Sequence, residues 1–294
     1  MTSILPPLRK QPPELLVEIL RHIFGATRDI GMNAFVIGAA ARDLIFEYVY
    51  DARIQRATED LDFGVAVETW ADYDNLKTQL VGSKKFKKDS KQEQRILWTE
   101  RVEHEIPIDL VPYGGLETIE STIAFPPSED FKMSTLGFRE VSQNLLTLEI
   151  SKGFSVELAS PAGVALLKFV AYNDRPAQRR RDIQDIFFIA ENYMAAGNED
   201  RLYNPHSSDA DLLENERFDY RTAGARLLGR DIVPLLNAET KSIVLRILDE
   251  SPSSVSMDQL IDIVNKNPFR DTDGDELARS IFRDLANGIG DVPA

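Results

Sequence analysis

Apolar and polar residues alternate along Thr58-Glu59-Asp60-Leu61-Asp62-Phe63-Gly64-Val65, which is the period-two signature of a strand. Alternation places Asp60 and Asp62 on one sheet face and Leu61 and Phe63 on the other. Upstream, Leu15, Leu16, Ile19, Leu20, Ile23 and Phe24 recur at helical spacing behind Pro12-Pro13-Glu14, where proline and an acid suit a first turn. The apolar run Ala34-Phe35-Val36-Ile37 predicts a buried strand. It breaks at Gly38-Ala39-Ala40-Ala41 and passes into a helix from Arg42 to about Tyr50.

Further along, the pattern predicts a helix over 70–80, strands over 95–98 and 106–111, and strands over 145–151 and 154–159 joined at Lys152-Gly153. Pro107 marks an edge strand or the start of one. The segments 82–91, 121–134 and 196–210 read as loops. Ser160-Pro161 supplies a cap and a first-turn proline for a helix carrying Val164, Leu166, Leu167, Phe169 and Val170. A second helix carries Ile183, Ile186, Phe187 and Ile189. Helical patterns continue over 212–228, 232–248, 257–264 and 276–285, with a turn at 271–275.

Composition narrows the class. A chain of 294 residues that is 43% hydrophobic and 28% charged can bury a full core and is not disordered. There are no cysteines, which excludes disulfides, thiolate metal sites and cysteine nucleophiles. No stretch reaches the roughly 20 apolar residues of a membrane span, and the N-terminus lacks the marks of a secretion signal. A cytoplasmic protein without a membrane partner is expected. The net charge of −14 argues against wholesale coating of a nucleic acid. It leaves room for a local basic patch, and Lys84, Lys85, Lys87, Lys88 and Lys91 form the densest one.

Several residues carry candidate chemistry. Asp60 and Asp62 are either a solvated face or hard ligands for a divalent cation such as Mg²⁺. Asp109 is a lone acid inside an apolar strand. It either meets solvent at the strand end or joins the other two on a neighbouring strand. Gly38 either only makes the turn or lets backbone N–H groups approach a phosphate at a helix start. Lys168 either snorkels to water or holds a triphosphate as a compact cation. Asp182 suits a helix start electrostatically. The lysine run is either a solvated loop or a contact for a polyanion.

Taken in order, Val36-Ile37-Gly38-Ala39, Glu59-Asp60-Leu61-Asp62-Phe63 and Pro107-Ile108-Asp109-Leu110 resemble the nucleotidyltransferases related to DNA polymerase beta. Ala165-Leu166-Leu167-Lys168 followed by Arg181-Asp182-Ile183-Gln184-Asp185-Ile186 is similar to the Lys…Asp helical motif of the abortive-infection type, a group that includes toxins of toxin–antitoxin systems. The resemblance covers about residues 30–190. It implies Mg²⁺ or Mn²⁺ on Asp60, Asp62 and Asp109, and nucleotide contacts from Gly38, Ala39, Arg42 and Lys168. It also implies catalytic roles for the three acids, Lys168 and Asp182. The family turn is usually Gly-Gly or Gly-Ser, so with Ala39 here the phosphate contact would rest on N–H groups or on Arg42.

The expected architecture is an α/β (α+β) nucleotidyltransferase fold with a mixed sheet, followed by a mostly helical C-terminal domain. The expected divisions are a catalytic domain over 1–120, connecting strands over 121–160 and a helical domain over 161–294. The expected activity moves a nucleoside monophosphate from an NTP to an acceptor hydroxyl, at an RNA end or on a protein. An antitoxin is a possible partner. The alternatives are a small-molecule, antibiotic-type nucleotidyltransferase and a non-catalytic nucleotide-binding or interaction module.

Overall fold

The structure is a computed structural model that describes residues 3–54, 60–127, 129–216, 219–249, 257–266 and 274–291. The chain divides into two compact units, one formed by Met1–Leu44 and Ala57–Ser160, the other by Ile45–Arg56 and Pro161–Ala294.

The first unit is built on a mixed sheet. Its strands are β1 (Ser3–Ile4), β2 (Ala34–Ile37), β3 (Leu61–Val67), β4 (Phe86–Lys88), β5 (Arg95–Trp98), β6 (Ile106–Gly114), β9 (Leu145–Ser151) and β10 (Phe154–Ala159). β7 (Thr122–Ala124) and β8 (Lys132–Ser134) pair separately as a small hairpin. The eight strands lie in the order β1-β9-β10-β2-β3-β6-β5-β4. β3 runs antiparallel to β2 and parallel to β6, and β6 runs antiparallel to β5. Helices α1 (Glu14–Asp29), α2 (Gly38–Asp43), α3 (Trp70–Gly82) and α4 (Phe138–Ser142) complete this unit.

Alternation along β3 and β6 sorts their side chains as the sequence pattern requires. Leu61, Phe63, Ile108 and Leu110 are buried on one face, where the Phe63 ring meets Phe24 of α1 at 6.2 Å. Tyr73 of α3 donates its hydroxyl to the Leu110 carbonyl at 2.8 Å, and Thr69 and Asp72 close a capping box at the start of α3. The opposite face therefore carries Asp62 and Asp109 at one end. Toward the other end it is filled by Phe35, which packs against Tyr113 and Phe138. Gly64, opposite Phe35 in the ladder, leaves room for that ring: a Cβ there would lie 2.7 Å from it.

The second unit is helical: α5 (Pro161–Asp174), α6 (Arg180–Asn192), α7 (Glu199–Tyr203), α8 (Asp211–Asn215), α9 (Tyr220–Ile232), α10 (Ala238–Leu248), α11 (Met257–Asn265) and α12 (Gly274–Asp291). α5 is buried on nearly every side, which suits its apolar composition. Arg226 of α9 binds both oxygens of Asp291 on α12, at 2.8 and 2.7 Å. Arg201 of α7 binds Asp231 of α9 at 2.6 Å. Among the described residues, no helix is long and apolar enough to cross a membrane.

Several expectations need correction. The helix expected from Arg42 begins at Gly38 and becomes π-helical over Leu44–Val49. The expected loops at 82–91, 121–134 and 196–210 contain β4, β7 with β8, and α7. The helix expected over 212–228 is two, α8 and α9. Each of these differences involves a segment of a few residues, too short for periodicity to register. Of the two readings of Pro107, the strand start holds and the edge strand does not. Pro107 is the second residue of an interior strand, ahead of Ile108, where pairing with β3 begins. Thr58, Glu59 and Asp271–Asp273 lie outside the described residues.

Candidate active site

The parallel register of β3 on β6 places Asp62 directly beside Asp109. Like charges at facing positions repel, so the arrangement requires a cation nearby. Part of that charge comes from the neighbouring strand. β5 pairs with β6 so that Arg95 faces Asp109, and its guanidinium donates from Nε to Oδ1 at 2.7 Å and from Nη2 to Oδ2 at 2.9 Å. This is the bidentate fork of a strong ion pair. Arg95 and Asp109 are 20% and 15% exposed at their side chains, well short of the open setting in which ion pairs contribute little. The Arg95 pKa is raised, first by its hydrogen bonds to Asp109 against the opposing effect of burial, then by the charges of Asp109, Asp60 and Asp89. Asp60, two residues ahead of Asp62, thus belongs to the same electrostatic cluster.

Gly38 adjoins this cluster. Its φ is +65°, in the left-handed region, and a Cβ built on it would lie 2.5 Å from Asp62 Oδ2. The strand-to-helix turn therefore lets a carboxylate, rather than a side chain of its own, occupy the space over the backbone. Gly38→Ala should cost about 1–2 kcal/mol from backbone conformation alone, and it must also displace Asp62. A urea melt and a transfer assay should both register the change, with activity falling more than stability predicts.

Ala39 is buried beside this glycine. Arg42, expected to contact phosphate, is buried too, and its guanidinium donates from Nε to Asp43 Oδ1 at 2.7 Å. That contact is a local ion pair with its chain neighbour.

The expected Lys168 and Asp182 fall in the second unit, on α5 and α6. Lys168 is buried, and its Nζ lies 2.9 Å from Asp182 Oδ1 and 2.6 Å from Asp185 Oδ2. Burial opposes its charge, but the two carboxylates outweigh that and raise its pKa. Asp182 Oδ2 is buried with no hydrogen-bond partner among the described residues. Such an oxygen can accept a donor from a ligand.

Arg95 and Asp185 are the two members that sequence reasoning did not assign. The only local signals were a charged residue opening an apolar strand and an acid three positions from Asp182, on the same helix face.

The donor set suits a hard cation. Asp60 and Asp62 offer carboxylate oxygens, and Mg²⁺ commonly takes one or two of these with water and substrate phosphates. Among the described residues, no three His, Cys, Asp or Glu side chains converge into a metal cage. Asp109 gives both oxygens to Arg95.

Among curated proteins, no relative is matched. The solved structures that the chain is similar to include an antigenic nucleotidyltransferase-like protein from Paracoccidioides brasiliensis, at 17% identity and TM-score 0.43, covering 73% of this chain and 94% of that one. Another is the antibiotic-resistance factor ANT(2'')-Ia, at 13% identity and TM-score 0.32, covering 56% and 75%. A third is the Thermotoga maritima CCA-adding enzyme complexed with tRNA, at 10% identity and TM-score 0.31, covering 96% and 82%. These likenesses are distant and carry no argument about activity. The sequence itself carries more: a family model described as nucleotidyl transferase AbiEii toxin, Type IV TA system, matches residues 46–262. This span holds Asp60, Asp62, Arg95, Asp109, Lys168, Asp182 and Asp185, and it exceeds half of the chain, so the protein belongs to the AbiEii nucleotidyltransferase family.

Proposed function

We propose that this chain transfers a nucleoside monophosphate from an NTP to a hydroxyl at an RNA end, in a reaction that needs Mg²⁺ or Mn²⁺. The observation that supports the reading most is the acidic pair set in register on adjacent central strands, Asp62 beside Asp109, with Asp60 nearby.

Nucleotidyl transfer is an in-line displacement at the α-phosphorus. The acceptor oxygen forms a P–O bond while the bond to pyrophosphate breaks and the hydroxyl proton leaves. A divalent cation would supply charge neutralisation at the transferring phosphate. Asp60 and Asp62 are the residues proposed to hold it, with Asp109, bound by Arg95, as the third carboxylate of the set. The Gly38-Ala39 turn would approach the phosphates through its backbone. Lys168, its charge secured by Asp182 and Asp185, is proposed to act as a fixed cation toward phosphate oxygens. The Asp182 Oδ2, without a partner among the described residues, would accept a hydrogen bond from a ligand hydroxyl.

The RNA acceptor is favoured by the hairpin that leads into Arg95. Lys84, Lys88 and Lys91 are exposed along it, whereas Lys85 pairs with Glu18 and Glu100, and Lys87 with Glu105. Exposed lysines on an otherwise acidic protein suit phosphate contacts that position without reading sequence. A toxin role held in check by an antitoxin belongs to the same proposal, because the family carries that name.

The test is incubation with each of four α-³²P-labelled NTPs, Mg²⁺ and total tRNA. Label should appear in RNA from at least one NTP. Absence of transfer from all four, with the native chain no different from Asp60→Ala, would overturn the proposal. If label instead reaches a small hydroxyl compound, and substitution of Lys84, Lys88 and Lys91 by Gln leaves turnover unchanged, the antibiotic-type reading replaces it.

A further inference from the structure

The pair between Arg95 and Asp109 points to a function of its own. Arginine cannot lose its proton in a protein, and its planar fork matches a carboxylate at two points. Here the fork saturates Asp109 at 2.7 and 2.9 Å. Asp60 and Asp89 also act on the same guanidinium, so Arg95 sits as a fixed positive charge amid several acids. The placement is built in by strand pairing, since Arg95 and Asp109 are direct cross-strand partners. A divalent cation seeking Asp109 would have to break two charge-assisted hydrogen bonds and approach a guanidinium.

We infer that Arg95 is a positioning residue that takes the place of a second metal ion: it occupies Asp109 and limits the chain to a single divalent cation, held by Asp60 and Asp62. The inference rests on the proposed cation role of those two acids. Arg95 then serves two ends together. It neutralises the repulsion between Asp62 and Asp109, and it keeps the site from loading a second cation.

The experiment measures Mn²⁺ alone, titrated into the full chain and followed by electron paramagnetic resonance of the free ion, without nucleotide or turnover. The native protein should take up a single Mn²⁺. Arg95→Gln should take up a second, about tenfold or more tighter than any second ion on the native chain. The double variant Arg95→Gln with Asp109→Asn should return to one. Circular dichroism and a thermal melt check that each variant folds. If Arg95→Gln does not, Arg95→Lys, which offers a compact ammonium in place of the fork, should still show a weaker second site.

Two Mn²⁺ ions on the native chain, bound as tightly as on Arg95→Gln, would overturn the inference and leave the cation role of Asp60 and Asp62 standing. So would a second ion that persists in the double variant. No Mn²⁺ on any chain would overturn both.

Discussion

Asp62→Asn is expected to lower nucleotidyl transfer by about 10²–10³-fold, the range for losing one preorganised electrostatic group at a reaction centre, while stability changes far less. Asparagine keeps the shape of aspartate, so it can occupy the same space over Gly38, where a Cβ would lie 2.5 Å from the Asp62 oxygen. What it loses is the charge that would hold a cation. Stability should fall much less, because neutralising Asp62 also lessens the repulsion from Asp109 across the β3–β6 ladder. Activity and stability thus move independently, and that separates a chemical role from a structural one. Measured label transfer together with a thermal melt reads both. Retention of more than about a tenth of native turnover would show that the cation does not depend on Asp62.

Lys168→Met should have the largest effect on stability, about 3–5 kcal/mol, which is the cost of removing one partner from a buried ionic cluster. The ammonium sits 2.9 Å from Asp182 and 2.6 Å from Asp185. Methionine fills similar volume but removes the ammonium from beside two buried carboxylates. Changing Asp182 and Asp185 to Asn in the same background should recover much of the loss, because the remaining groups are then neutral.

The pH dependence follows from the direction of the Lys168 shift. Its folded pKa lies above the ordinary 10.5, so the stabilisation from this lysine is complete below that value. It is lost as pH rises past it, where the unfolded chain gives up its proton first. The gap between native protein and Lys168→Met in urea unfolding should therefore be level from neutral pH to about 10 and narrow above. A gap below about 1 kcal/mol at neutral pH would mean that the cluster contributes little to stability.

The elements with sustained periodicity were legible in the sequence. α1, with Ile19, Leu20, Ile23 and Phe24 on its buried stripe, and β3, with Asp62 set between Leu61 and Phe63, needed only local information. The hairpin of β9 and β10 was marked by Lys152-Gly153, and Gly153 takes φ +75° there. β4, β7 and β8, of three residues each, owe their existence to the partner they pair with, and no local window contains that partner.

The site divides along the same line. Asp60, Asp62 and Gly38 stood out by type and spacing. The Arg95 partnership did not, because it depends on how β5 registers against β6, and the sequence prints no register. Asp185 was hidden for a different reason: an acid near a helix start is ordinary, and only the Lys168 ammonium on a neighbouring helix gives it a role.

The alternation along β6 has a consequence for folding quality. Ile108 and Leu110, both fully buried, flank Asp109, so slipping this strand by one residue would thrust the acid into the hydrocarbon interior and two aliphatic groups into its former position. The misaligned form would lose its core packing and its reactive centre together. Chains that pass the thermodynamic check of burying those aliphatics have, by that same act, been proofread for chemistry.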